Sequence, residues 1–461
     1  MPGGAASSDG HGSSPGPRAD VPLRLLVLNV HPGYDNAFPH MAARQPHYRV
    51  TILVLGDLGR SPRMLNQAWA LAEDGAAVSL AGYHETPVDR AVAEHPRIRL
   101  HRVRSLDRAR EGRSRILFLL FSAWRAAFLG LESFWLLLAR TPRADVVLVQ
   151  NPPSFPTLLA GWLAARARRS LFIVDWHNFG YAMLALRLGP AHFMVRLAKA
   201  CERWLGSQAD AHLCVSAAMR DVLTREFGLP AAVVLPDRPR ELLPLLPMTA
   251  RSAAAHRVLS RAGFVLPQDA ALAVCPTSWS ADEDMDLLLE GLQRWDSQGA
   301  PSPLPRLCVV ITGRGPLREA FEQRISGLCW RRLTLRTAFL DPADYRELLC
   351  AAHFGFCLHR STSGVDLPMK LMDLFGARTP ACVLDYGECL TEQIQPGVTA
   401  LTFRTSQELA CRIDQLLAGF PDDLQLLAQM QCNIQAACTE TWQQVWQREA
   451  APVFHRVLRS A

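Results

Sequence analysis

Lysine is almost missing from this chain. Of its 461 residues 49 are lysine or arginine, and only Lys199 and Lys370 are lysines. So broad a replacement reads as compositional drift. Under drift a surviving lysine is a candidate for a place that needs a compact ammonium rather than a planar guanidinium; the alternative is that two exceptions out of 49 mean nothing. Cysteine is absent before Cys201, and the 12 that follow contain no C-x-x-C pair and no zinc spacing. Cys275, Cys308, Cys357 and Cys382 sit inside apolar runs, where reduced cysteine packs as a small hydrophobe. A protein facing the reducing cytosol is the plain expectation. No internal repeat is evident, and no secretory signal pattern is visible at the start. Residues 1–20 are rich in Gly, Ser and Pro and read as disordered. The apolar stretch Leu23–Val30 is far short of the ~20 residues that span a bilayer.

What is present is length and apolar content. Hydrophobic residues make up 49% and charged residues 20%, enough for sizeable cores in two or three domains. Short apolar runs alternate with amphipathic stretches. Strands are expected at Val50–Leu55, Ala77–Ala81, Ile98–Val103, Asp145–Val149, Leu171–Val174, Ala211–Val215 and Ala231–Leu235. A Pro-rich link follows, with a short helix expected near Ala253–Arg261. Strands then resume at Ala271–Cys275, Arg306–Thr312, Leu333–Thr337, Phe354–Leu358, Pro380–Leu384 and Thr399–Phe403. This rhythm predicts an α/β protein with two Rossmann-like, doubly wound domains facing a cleft, and a C-terminal helix. The expected division is a poorly defined segment 1–47, a first domain 48–235, a hinge 236–268, a second domain 269–423 and a continuous helix 424–461.

Ile116–Ala139, ILFLLFSAWRAAFLGLESFWLLLA, is the most apolar stretch, and its 24 residues are long enough to cross a bilayer. Arg125 and Glu132, with Ser122, set a narrow polar stripe on one helical face. A spanning helix here would also split one sheet across the membrane. The expected state is a helix lying in the membrane surface, with Trp124, Phe128, Phe134 and Trp135 toward lipid. Eight arginines from Arg97 to Arg115, opposed only by Asp107 and Glu111, precede it. Each near an anionic leaflet contributes about 1 kcal/mol. The alternative is a buried core helix beside a solvated basic loop.

Candidate chemistry collects at strand ends. Gly56 and Gly59 permit a tight turn after the first strand, Ser61 suits an N-cap and Pro62 a first helical position. Asp57 is left over: it is a general-base candidate, or it only satisfies turn amides. Gln150-Asn151-Pro152-Pro153 supplies amides suited to hydroxyl recognition. Asp175-Trp176-His177-Asn178-Phe179-Gly180-Tyr181 is a polar and aromatic set with the look of an active-site loop. His177 takes or gives a proton near neutral pH, although a lone histidine is more often structural.

In the second half, Thr277-Ser278-Trp279-Ser280-Ala281-Asp282-Glu283-Asp284 invites a metal reading. Ser280-x-x-Glu283 nevertheless has the form of a capping box, and acids in a first turn suit the helix dipole. Gly313-Arg314-Gly315 lets amides approach a phosphate beside a cation. The densest set runs from His359 to Asp373. A strand ends at His359, and a small-hydroxyl loop with Ser361, Ser363, Gly364 and Asp366 follows. A helix starting near Leu367 then carries Lys370 and Asp373 on one face. Hydroxyls and free amides there suit a diphosphate; the alternative is a Ser-rich cap with a solvent lysine.

The stretches VLGDLGRSPRM, QNPPSFPTLLAGW, FIVDWHNFGY, PTSWSADED, ITGRGPLRE and SGVDLPMKLMDLFG, in that order, resemble the chitobiosyldiphosphodolichol β-mannosyltransferases. These add the first mannose in dolichol-linked N-glycan assembly. The resemblance implies the GT-B fold and transfer from GDP-mannose to GlcNAc2-diphosphodolichol, with inversion to a β-1,4 linkage. It implies no metal or other cofactor, and the cytosolic face of the endoplasmic reticulum membrane. It places the donor at Ser278, Gly313, Arg314, Gly315, His359, Ser361, Ser363, Gly364, Asp366, Lys370 and Asp373. The acceptor side is Gly56, Arg60, Asn151, Asp175, Asn178 and Tyr181, and Asp57, His177 and Lys370 are catalytic, with Asp57 or His177 as the base. Partners implied are the two substrates, the membrane surface through Arg97–Ala139 and other mannosyltransferases of the pathway, with no nucleic acid. Family members begin with a membrane anchor; here anchoring falls to Arg97–Ala139, or to residues preceding this sequence. Two rivals stay open: another GT-B enzyme, such as a retaining mannosyltransferase or an epimerase, and an inactive paralogue.

Overall fold

The computed structural model describes residues 47–104, 115–267, 269–298 and 305–460. The head of the chain, the run Leu23–Val30, Arg108, Arg110 and Arg113, and the side chain of Ser122 lie outside the described residues.

Every apolar run expected to be a strand is one. β1 (Tyr48–Asp57), β2 (Ala76–Tyr83), β3 (Ile98–Arg102), β4 (Val146–Asn151), β5 (Leu171–Trp176), β6 (Ala211–Cys214) and β7 (Val233–Val234) form a first sheet ordered β3-β2-β1-β4-β5-β6-β7. β8 (Ala270–Pro276), β9 (Arg306–Thr312), β10 (Leu333–Ala338), β11 (Phe354–Cys357), β12 (Ala381–Leu384) and β13 (Ala400–Phe403) form a second, ordered β10-β9-β8-β11-β12-β13. Pairing is parallel throughout both sheets.

Helices cover both faces of each sheet, so the strands read as near-continuous aliphatic runs. Side chains still alternate with period two. Val50, Ile52 and Val54 join one core with Val146 and Leu148, while Leu53, Val147 and Val149 face the other. In β8, Ala271, Ala273 and Cys275 face one core and Ala270, Leu272 and Val274 the other. Strand order reverses beside β1 and again beside β8. The crevice outside the strand C-termini at such a reversal is where doubly wound folds bind ligands.

The link between the sheets holds a helix, Met248–Arg261, longer than expected, and its Ala254, Ala255, Val258 and Leu259 are part of a second-sheet core. Buried Arg251 pins it, donating to the carbonyls of Ala377 and Arg378 at 3.1 Å and to Thr379 Oγ1 at 2.8 Å. The C-terminal region is not one continuous helix. Gln425–Ala437 packs on the second sheet through Leu427 and Met430. A capping box formed by Thr441 and Gln444 then starts Trp442–Glu449, and Ala451–Ser460 follows. These last two helices return to the first sheet, burying Trp442, Val445, Trp446 and Phe454 beside β1.

The apolar stretch is helical over Arg115–Trp135 and loosens into a π turn at Leu136–Arg140. Leu129, Leu136 and Leu137 are buried, whereas Trp124, Leu131 and Trp135 are more than half exposed. The polar stripe is partly consumed internally, since Glu132 is buried and paired with Arg140 at 2.9 Å. Among the described residues no helix is long and apolar enough to cross a membrane.

Candidate active site

The acidic loop after β8 does not cap its helix in the way its spacing predicts. That helix, Met285–Ser297, has Asp284 as N-cap, accepting from the Leu287 amide at 3.0 Å. Ser280 and Glu283 make only one arm of a capping box, the Glu283 carboxylate accepting from the Ser280 amide at 3.4 Å. Glu283 turns inward, buried, and accepts from the Ser278 amide at 2.9 Å, from the Thr277 hydroxyl and from the Lys370 ammonium. A buried carboxylate needs such partners, and the decisive one lies 87 residues downstream, where no local pattern reveals it. Lys370 sits in the first turn of the helix Met369–Gly376, and its side chain stays partly open to solvent.

Gly313 and Gly315 answer to this same loop. A Cβ on Gly313 would lie 1.9 Å from the Thr277 carbonyl oxygen, and one on Gly315 1.9 Å from that of Ser278. Trp279, buried at a φ of 54°, donates its indole N–H to the Gly313 carbonyl at 3.2 Å. The glycines therefore let two loops touch. The next helix begins only at Arg318, rather than directly at the glycines. Arg314 is exposed, its guanidinium 3.6 Å from the centre of the Phe339 ring.

At the end of β11, His359 is clasped by two carboxylates. Nε2 lies 2.8 Å from Asp366 and Nδ1 3.5 Å from Asp282. Burial opposes its charge, but the bonds to Asp282 and Asp366 outweigh burial and raise its pKa to about 9. Against the same effect of burial, His359 holds Asp282 and Asp366 below the usual carboxylate range. The hydroxyls of Ser361 and Ser363 donate to Asp366 as well. In this conformation the hydroxyls expected at a phosphate seat Asp366. Gly364 makes the turn, with a φ of 77°. Asp373 accepts from the Tyr345 hydroxyl at 3.0 Å and is open to solvent within a recess. The protein crowded around it pushes its pKa up to about 6, while the Tyr345 bond and the charge of Lys370 pull the other way.

In the first half, Asp57 accepts from the amides of Glu85 and Thr86 at 3.0 and 3.2 Å and from the Thr86 hydroxyl at 2.5 Å. It organises a turn in this conformation. Ser61 caps no amide; its hydroxyl donates to the Asp57 carbonyl. Gly56 leaves room, its nearest neighbour standing 3.6 Å from an added Cβ.

Asn151 and Asp175 are fully buried, which removes both from direct acceptor contact. Asn151 donates to the Asn178 carbonyl and to Glu202. Asp175 takes two bonds from Arg63, at 2.7 and 2.9 Å, and one from Gln67 at 3.2 Å. Arg63 also meets Asp237 at 2.8 Å. Glu202 fixes the start of the helix Gly180–Leu188 by accepting from the amides of Gly180 and Tyr181 at 2.7 and 3.2 Å. Arg63, Gln67 and Glu202 escape sequence reasoning because a charged or amide side chain inside an amphipathic helix reads as a solvated face.

His177 stands at the crevice with Gln150 Nε2 3.2 and 3.3 Å from its two ring nitrogens. Burial lowers its pKa to about 4, so the ring is neutral under physiological conditions. Tyr181 is half-buried against Phe179 and Phe227, and Lys199 lies 5.0 Å from its ring centre while pairing with Glu226 at 2.6 Å.

Polar contacts join the two halves across the crevice. Asn178 donates to Thr362 Oγ1 at 3.0 Å, and Ser216 to the Val365 carbonyl at 2.6 Å. Glu392 accepts from the amides of Ala217 and Ala218 at 2.7 and 2.9 Å. Arg60 donates to the carbonyls of Ser278 and Arg314 at 3.1 and 3.2 Å. It faces the second half's loops, which corrects its expected place on the acceptor side.

Residues 59–237 match the family model of the glycosyl transferase 4-like domain. The chitobiosyldiphosphodolichol beta-mannosyltransferase of Mus musculus is 33% identical over 435 residues, covering 88% of this chain and 89% of its own. UDP-glycosyltransferase TURAN of Arabidopsis thaliana is 34% identical over 456 residues, covering 89% and 98%. Among solved structures, WaaG, a glycosyltransferase involved in lipopolysaccharide biosynthesis, superposes with a TM-score of 0.60 at 15% identity, over 87% of this chain and 98% of its own. That likeness concerns the fold alone. Two doubly wound sheets meeting at their strand ends, with sequence relatives matched along most of both chains, establish that this protein has the GT-B fold and belongs to the chitobiosyldiphosphodolichol β-mannosyltransferase family.

Proposed function

We propose that the protein transfers mannose from GDP-mannose to the outer N-acetylglucosamine of GlcNAc2-diphosphodolichol, with inversion to a β-1,4 linkage, at the cytosolic face of the endoplasmic reticulum membrane. The relatives' names supply the sugar and the lipid-linked acceptor. The structural observation that carries this function is Lys370, one of two lysines in the chain, held at the crevice by buried Glu283. A nucleotide diphosphate competes with Glu283 for that ammonium, with Arg314 and Arg60 on the neighbouring loops. Asp373, in its recess, accepts from sugar or ribose hydroxyls.

His177 is the better-supported base. It is neutral at working pH, whereas three hydrogen bonds engage Asp57 in its own turn. With so low a pKa, its proton uptake accompanies attack on the sugar carbon rather than preceding it. Side-chain cations meet the charge growing on the leaving diphosphate, and turnover without a divalent metal is expected.

The test supplies GDP-mannose with a GlcNAc2-diphospholipid, with and without EDTA, and follows formation of a β-linked trisaccharide. A UDP-sugar arm is needed because one relative carries UDP in its name. Transfer from the UDP-sugar alone would replace the donor. An α-linked product would mean a retaining enzyme, and no product from any donor an inactive relative.

A further inference from the structure

The helices Gly180–Leu188 and Phe193–Gly206 pack on each other as a hairpin beside the first sheet. In the second of them, Val195, Glu202 and Leu205 are buried. Phe193, Leu197 and Trp204 recur at helical spacing on nearly the opposite side, at 60%, 53% and 52% exposure. Leu186 of the first helix is exposed as well, at 65%. A helix that is apolar toward its core and again toward solvent has a second surface to cover.

Within residues 180–206 the exposed charges have one sign, Lys199 being paired with Glu226 outside them. Arg187, Arg196 and Arg203 are exposed and Lys199 partly so, while the one acid within 180–206, Glu202, is buried. Outward apolar side chains flanked by basic ones match a helix seated in the boundary of an anionic bilayer. The surface also continues beyond the hairpin. Trp204 meets Trp162 edge-on, with ring centres 5.4 Å apart. The helix bearing Trp162, Thr157–Arg168, packs in turn on Arg115–Trp135, whose Leu131 and Trp135 are exposed.

We infer that the hairpin 180–206 is a seat for an anionic lipid surface, extending the membrane contact expected of Arg97–Ala139. The hairpin grows directly out of the loop Asp175–Tyr181. Seated on a bilayer, it brings that loop to a diphospholipid acceptor that never leaves the membrane. This last step rests on the proposed function; lipid binding itself is measured without turnover, so the two fail separately.

The test is flotation of the full chain with phosphatidylcholine vesicles, with and without phosphatidylserine. Combining Leu186→Ser, Phe193→Ser, Leu197→Ser and Trp204→Ser should lower vesicle binding about tenfold or more. Thermal melting and transfer to a short-chain acceptor dispersed in detergent should stay unchanged. Charge reversal through Arg187→Glu, Arg196→Glu and Arg203→Glu, which leaves the apolar face intact, should weaken binding to anionic vesicles about fivefold per residue. Binding by both variants equal to the parent would overturn the inference. So would lipid-free self-association, seen by sedimentation and abolished by the serine variant, because a second copy would then cover the face.

Discussion

Each half of this molecule clasps one cation between two carboxylates near its strand ends, and the two clasps have different work. In the first half Arg63 lies between Asp175 and Asp237, with all three side chains buried. In the second, His359 lies between Asp366 and Asp282 and is partly open. A guanidinium stays charged at every accessible pH. Burial disfavours the Arg63 charge, but Asp175 and Asp237 overcome it and raise the pKa above its ordinary value. That clasp ties β5, the link after β7 and the helix Pro62–Glu73 together, with Trp442 5.2 Å from the guanidinium. The imidazolium clasp is titratable and borders Lys370's partner, since the backbones of His359 and Glu283 form an isolated antiparallel β-bridge. A permanent cation makes scaffold; a titratable one leaves the site's geometry dependent on pH.

The largest expected effect breaks the scaffold clasp. Arg63→Leu leaves two buried carboxylates without a counter-charge and should cost roughly 3–5 kcal/mol of stability, read from urea unfolding. Arg63→Lys should recover only part of it, because an ammonium cannot bridge Asp175 through two parallel bonds. Parental stability in Arg63→Leu would deny the clasp its structural role.

Next is Lys370, which belongs to fold and site at once. Lys370→Ala should lower kcat/KM about 100- to 1,000-fold and also destabilise the protein, because Glu283 is left buried without its counter-charge. Adding Glu283→Gln removes that stranded charge. The double variant should therefore melt near the parent yet remain slow. Recovery of activity along with stability would make Lys370 a structural partner only.

The strands were legible because a sheet covered on both faces demands unbroken aliphatic runs, as in Val146–Val149. Legibility failed where a side chain's partner is distant. Ser280 and Glu283 fit a local cap, yet a buried carboxylate takes the nearest cation in space, and that is Lys370. Asp175 and His359 both end strands, and nothing local tells which points beneath the sheet and which toward the crevice. Asp57 had two open readings at the sequence level, and the amides of Glu85 and Thr86 favour the plainer one. Gly313 and Gly315 signalled close approach correctly in kind; what approaches is the protein's own Thr277–Ser278 backbone.

The smallest effect distinguishes the clasps most cleanly, through their response to pH. His359 has a folded pKa of about 9 against an ordinary 6.5. A raised pKa means that its stabilisation is complete below about 6.5 and is lost as pH rises through about 9. Asp282 and Asp366, held low, stay ionised across this range and lose their contribution only in acid. The parent should therefore melt at progressively lower temperature from about pH 7 to about pH 10, and KM for GDP-mannose should rise with it more than kcat falls. His359→Gln should cost roughly 1–3 kcal/mol at neutral pH and flatten the alkaline fall, because no proton is then lost between the two carboxylates. The Arg63 clasp contributes nothing to that slope, so partial loss of it through Arg63→Lys should lower the whole melting profile without changing its alkaline shape. If His359→Gln melts with the parent's full alkaline fall, the titrating group lies elsewhere, and the two clasps are the same device built with different residues.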